Sequence, residues 1–194
     1  MRKFGRFVMA LGMALVAAAL GLFAYNCWED YTAESRSNAI VDSLWEVIEE
    51  RDVVSHMYDT EMTEVEIDGY SYIGYVVLPS LNLNLPVMTD WSYAQLKVAP
   101  CRYAGSTKTG NLVIAAHNYS SHFGQIKNLA VGDDVYFVDM DGRTWRYEVA
   151  ALETLAPTDV DYMISSGFEL TLYTCTYGGA SRVTLRCRAV DAAE

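Results

Sequence analysis

From residue 70 onward the chain breaks its apolar residues into short runs and separates them with turn-forming residues. Runs of that kind read as strands, because an amphipathic helix needs a longer segment repeating at three- and four-residue spacing. Residues 73–78 form the first run, closed by Pro79-Ser80. Residues 81–87 alternate Leu and Asn ahead of Pro86-Val87, a period of two. Residues 111–117 are apolar on both faces, which predicts a buried strand. Residues 135–138 and 144–155 flank Asp139-Met140-Asp141-Gly142, and its Asp-Gly is a strong hairpin signal. Residues 169–175 and 182–190 are joined by Thr176-Tyr177-Gly178-Gly179-Ala180-Ser181. Short helices or turns are predicted at 91–98, 123–129 and 162–165. So many strands in about 120 residues predict a mostly β domain, a closed barrel or a sandwich, and propensity does not choose between them.

The N-terminal part obeys a different pattern. Residues 7–25 contain no charge. In a helix that run rises roughly 28 Å, close to the hydrocarbon thickness of a bilayer. Arg2, Lys3 and Arg6 precede it, and Glu29, Asp30 and Glu34 follow. The basic flank predicts a single-pass cell-membrane protein with its N-terminus in the cytoplasm and the remainder outside. A cleaved signal peptide is the competing reading, but the small residues Ala17-Ala18-Ala19 fall inside the apolar run rather than after it. Ser37-Asn38 is a candidate helix cap. Ile40, Val41, Leu44, Trp45 and Ile48 then recur on one helical face, which predicts packing against the β domain or another helix. Residues 52–68 are polar and acidic and read as a linker. The organisation expected is a cytoplasmic tip and transmembrane anchor over 1–27, an amphipathic helix and linker over 28–69, and a β domain over 70–194.

A net charge of −11 argues against nucleic acid, since phosphate binding needs a basic surface. The cysteines are Cys27, Cys101, Cys175 and Cys187, with no Cys-x-x-Cys pair and no clustered histidines, so the pattern does not predict a zinc site. Cys101 and Cys187 are either two buried thiols, the favoured reading, or an extracellular disulfide.

Chemistry concentrates near the C-terminus. Thr171-Leu172-Tyr173-Thr174-Cys175 ends a β-prone run, and Arg182 opens the next one. His117 ends the buried run Asn111-Leu112-Val113-Ile114-Ala115-Ala116. A thiol, an imidazole and a guanidinium at strand ends suggest a cysteine nucleophile, an acid/base partner and a charge stabiliser. Taken singly each has a plainer reading: a small core cysteine, a hydrogen-bonded core histidine, a solvated arginine. His56 lies in the linker, and His122 begins a short helix. Arg182, Arg186 and Arg188 alternate onto one face of the last strand, with Arg186 the reserve candidate for the arginine role.

Together these residues resemble the sortases, cysteine transpeptidases of Gram-positive cell surfaces. Their signature is a T-L-x-T-C strand with a histidine upstream and an arginine downstream. Leu81-Asn82-Leu83-Asn84-Leu85-Pro86-Val87 is similar to the family's early apolar-Pro-Val strand, and Gly110 to His117 to its histidine strand. The resemblance covers about residues 73–190. It implies an eight-stranded β-barrel, with Cys175, His117 and Arg182 as the catalytic set and no metal or organic cofactor. It further implies cleavage of an LPxTG-like sorting signal between Thr and Gly, and transfer to an amine of a peptidoglycan precursor or a pilin lysine. The helix ahead of the barrel is similar to class B, but residues 156–168 are too few for that class's helical insertion. A papain-like cell-wall hydrolase would carry its cysteine before its histidine, the reverse of the order here. A catalytically inactive, membrane-tethered β-module is the non-enzyme alternative.

Overall fold

The computed structural model describes residues 2–50 and 61–190. The chain divides into two units, residues 1–32 and 33–194. Helix α1 runs from Arg2 to Glu50 without interruption. No proline interrupts it, and the glycines at 5, 12 and 21 cost helix propensity without breaking it. Ser37 and Asn38 therefore lie inside the helix rather than capping a new one, and Ser37 is buried. In the first unit, α1 exposes Phe7, Leu11, Leu15, Leu22 and Phe23. The helix is long and apolar enough to cross a membrane.

In the second unit the last turns of α1 bury Val41 and Leu44 as the periodicity predicts. Leu44 joins Val65, Tyr72, Met88, Ala99, Cys101 and Met140 in a satellite core, and Trp45 rests against Tyr75 with ring centroids 5.9 Å apart. Residues 51–60, most of the expected acidic linker and His56 with it, lie outside the described residues. The rest of that stretch supplies a short strand.

Among the described residues the β part has nine strands: β1 (Val65–Ile67), β2 (Tyr70–Leu78), β3 (Leu83–Met88), β4 (Cys101–Ala104), β5 (Leu112–Ala116), β6 (Asp134–Asp139), β7 (Thr144–Leu155), β8 (Leu170–Cys175) and β9 (Arg182–Ala189). A short helix α2 (Val160–Ile164) lies between β7 and β8. Neighbours run β2-β3-β4-β5-β8-β9-β7-β6, and β6 pairs back onto β2. That closing pair makes an eight-stranded barrel and decides between barrel and sandwich; β1 is appended to β2 outside the ring. Closure bends β2 where it meets two neighbours. Gly74 adopts φ 143° there, and a Cβ at that position would sit 2.0 Å from the Val138 carbonyl oxygen. Only glycine fits so close an approach.

The β6–β7 hairpin turns at Asp141-Gly142 as predicted, with Gly142 at φ 77°. Buried Asp139 braces it by accepting from the backbone N–H of Asp141 and Arg143 and from Trp145 Nε1. Such a carboxylate is tolerated because its lone pairs are satisfied. Inside the barrel Ile73, Val76, Leu85, Phe137, Leu172 and Leu185 belong to one contiguous core. Cys101 and Cys187 are free thiols in separate clusters, so no bridge joins them.

Candidate active site

Strand alternation sorts the chemistry to the outer surface. On β8, Leu170 and Leu172 enter the core, so Thr171, Tyr173 and Cys175 face out. On β5, Leu112, Ile114 and Ala116 point in, and continuing the alternation turns His117 out. On β9, Leu185 and Cys187 point in, which leaves Arg182, Thr184, Arg186 and Arg188 on the other face, as the sequence predicts.

Register then brings the candidates together. β8 and β9 are antiparallel, with Cys175 directly opposite Arg182. β5 and β8 are parallel, with Ala116 paired to Thr174. The next residues along those two strands are His117 and Cys175. Thr174 ties the strands by donating from Oγ1 to the Ala116 carbonyl at 2.9 Å, within the buried interior. The three residues thus converge at one edge of the barrel from three adjacent strands.

Their surroundings differ. Cys175 is partly exposed, whereas Cys101 and Cys187 are fully buried and burial pushes both thiols up to about 12. Those two remain protonated and inaccessible at neutral pH, so Cys175 is the accessible thiol of the barrel. Arg182 donates through Nη1 to the carbonyls of Gly179 and Ser181 at 3.0 and 3.2 Å, which fixes the head group against the β8–β9 turn. That turn closes on itself through Thr176 N to Ser181 O at 2.9 Å and Ser181 N to Thr176 Oγ1 at 3.0 Å, with Gly178 at φ 79°. The His117 ring stacks on Tyr119, centroids 4.1 Å apart and planes 13° from parallel, and Tyr119 meets buried His122 edge-on at 5.4 Å. His122 is therefore packed behind the site.

A surface groove of about 230 Å³ includes Cys175 and Arg182 in its lining. Trp91, Tyr103 and Tyr173 form one part of it as an aromatic chain with successive centroids 5.4 Å apart. Ala156, Val160 and Met163, from the β7–β8 connection, form another. Burial, then Tyr103, pushes the Tyr173 phenol above its ordinary range, while Arg182 draws it back, so the guanidinium field reaches the groove. Aromatic and aliphatic side chains make up most of the lining, which also carries the Asp159 carboxylate, the Arg182 guanidinium and the Cys175 thiol. The sequence marks the thiol, imidazole and guanidinium as candidates, but not the aromatic chain. Those rings come from separate segments with no common motif, and β4, which carries Tyr103, was not apparent as a strand.

A family model described as the Sortase domain matches residues 76–190, more than half of the chain. Sortase A of Bacillus anthracis is 28% identical over 121 residues, 59% of this chain and 57% of that protein's length. The crystal structure of sortase C1 from Streptococcus agalactiae superposes with TM-score 0.63 at 24% identity, covering 81% of this chain and all of that one. Clostridium perfringens sortase C, solved with the C-terminal cell wall sorting motif, gives TM-score 0.55 at 23% identity, covering 79% of this chain and 91% of that one. The chain belongs to the sortase family. Solved structures named sortase A and sortase C both share the fold, so the likeness does not assign a class.

Proposed function

We propose that this chain is a membrane-anchored cysteine transpeptidase acting on a surface-protein sorting signal of the Leu-Pro-x-Thr-Gly kind. The carrying observation is the strand register: Cys175 opposite Arg182, with His117 one step beyond the Ala116–Thr174 pair. In this reading the Cys175 sulfur attacks the Thr carbonyl carbon. The bond to Gly breaks, and His117 gives its proton to the departing amine. A thioacyl intermediate remains on Cys175. An amine, from a peptidoglycan precursor or a pilin lysine, then attacks that carbonyl and returns a proton to His117, and the Cys175 thiolate leaves. Arg182 presents N–H donors to the carbonyl oxygen as it gains charge, strengthening in the transition state. Family membership supports the reaction class, and the sorting motif held by the Clostridium perfringens relative supports the substrate class.

In the same reading residues 1–27 anchor the chain, 28–69 connect, and 70–194 catalyse. Arg2, Lys3 and Arg6 hold the N-terminus in the cytoplasm, so the barrel lies outside. One experiment tests both parts. A quenched Leu-Pro-x-Thr-Gly peptide is given with an amine nucleophile to intact protoplasts and to the purified full-length protein, and the adduct on Cys175 is read by mass spectrometry. Wild type should form the thioacyl adduct and the amine-capped product in both settings, and Cys175→Ala in neither. Turnover that survives Cys175→Ala refutes the mechanism; turnover by purified protein but not by protoplasts refutes the orientation.

A further inference from the structure

Arg186 is fully buried, an uncommon place for a guanidinium. Its surroundings explain how the charge is tolerated. Nε donates to Glu153 on β7 at 3.3 Å. Nη1 donates to Thr171 Oγ1 on β8 at 3.0 Å and to the Met163 carbonyl at 3.1 Å, and Nη2 donates to the Tyr162 carbonyl at 3.0 Å. The Tyr162 and Phe168 rings lie 5.0 and 5.9 Å from the guanidinium carbon. One side chain thus joins two strands to the segment that connects them.

Two of those bonds fall at the end of α2. A helix leaves its last carbonyls without intrahelical partners, and a cation there also opposes the negative end of the helix dipole. α2 has five residues, too few to persist as an isolated helix. Arg186 supplies the missing donors and charge in one group. Arg188 adds a second tie, donating to the Gly167 carbonyl at 2.6 Å with its guanidinium over Phe168. Between them they fasten residues 162–168 to the face of β9.

The β7–β8 connection that ends in this fastened segment carries one wall of the groove. Ala156, Val160 and Met163 come from it, and Met163 accepts a contact from Thr184 Oγ1 at 3.9 Å on the β9 face. We infer that Arg186 is a positioning residue, which pre-sets the 156–168 wall of the groove and so determines how tightly a peptide substrate is held. The inference rests on the transpeptidase reading above. Arg186 faces Thr171 across the sheet, four residues before Cys175, so it acts through the wall and not on the reacting atoms.

A merely structural role would lower stability and leave the kinetic constants in proportion. A positioning role splits them. Full-length wild type, Arg186→Lys and Arg186→Met in detergent are compared by hydrogen exchange, by steady-state kinetics on the sorting peptide, and by the rate at which iodoacetamide alkylates Cys175. Iodoacetamide is too small to need the wall. Arg186→Met should raise KM by about tenfold with kcat changed less, the pattern of lost ground-state binding. Arg186→Lys should fall between, since an ammonium keeps the charge but not the planar fork. Exchange should quicken over residues 160–168 and not over β8 or β9, and alkylation should stay within about twofold of wild type. Wild-type exchange over that segment in the Lys variant overturns the proposal, as does a loss confined to kcat and alkylation. If the Met variant does not fold, the Lys variant decides. If wild type leaves the peptide intact, the transpeptidase reading fails, and exchange alone still decides whether Arg186 holds the wall.

Discussion

Arg182, Arg186 and Arg188 share the outer face of β9 yet meet different surroundings. Arg188 is half exposed and Arg186 fully buried, while Arg182 alone lies opposite Cys175 and in the groove lining. Among the described residues Arg182 is bonded to protein through Nη1 alone, which leaves Nε and Nη2 as donors for an incoming oxygen. Losing one donor aimed at a developing oxyanion typically lowers kcat by on the order of 10²–10³. Arg182→Ala should therefore lower kcat/KM on that scale, with KM changed far less. Arg182→Lys should rescue little, because an ammonium cannot hold the Gly179 and Ser181 carbonyls and also present a flat pair of donors to the substrate. Steady-state kinetics on both variants checks this; a loss carried mainly in KM, or full rescue by lysine, would assign Arg182 to substrate binding alone.

At the scale of elements, β5 and β8 matter most, because their parallel pairing ends at Ala116 and Thr174, one residue short of His117 and Cys175. Thr174 is the polar side chain turned inward between them, and its hydroxyl bonds the Ala116 carbonyl. Thr174→Val keeps the shape but leaves that bond unmade, which should cost about 1–3 kcal/mol in urea unfolding. A stability equal to wild type would show that the bond contributes nothing. The strands themselves were legible in the sequence wherever a run was apolar and bounded by turn residues, as with β5, β7 and the β6–β7 hairpin. β4 was not, because Cys101-Arg102-Tyr103-Ala104 is short and mixed in polarity, and its pairing with β3 and β5 makes it a strand. The break expected at Ser37 failed for the opposite reason. A cap residue stops a helix only where its neighbours leave helical geometry, and nothing around Ser37 forces that. The three candidate site residues were legible because each stands at a strand end within a recognisable run. The groove was not, since its walls come from the β7–β8 connection and three distant aromatics that only the closed barrel brings together.

Across the whole molecule, folding buries titratable groups in both the barrel core and the satellite core that the unfolded chain would expose. Cys101 and Cys187 move from an ordinary 9.0 to about 12, with burial the main cause. Tyr72, Tyr147 and Tyr173 shift upward for the same leading reason, and Tyr75 reaches about 12. Every one of these groups is neutral when protonated, so the folded state holds protons that the unfolded chain releases above about pH 9. Their contribution is complete below that pH and is lost as pH rises through 9 to 12. Each group whose proton is kept only in the folded state steepens the decline by up to about 1.4 kcal/mol per pH unit. The urea midpoint should therefore hold between pH 7 and 8.5 and fall steadily from pH 9 to 11. Cys187→Ala should start lower, because it leaves a small void, but decline less steeply, since one of the titrating groups is gone. Parallel declines in the two proteins would show that the Cys187 thiol does not titrate on unfolding, and a midpoint constant to pH 11 would contradict the burial of all these groups.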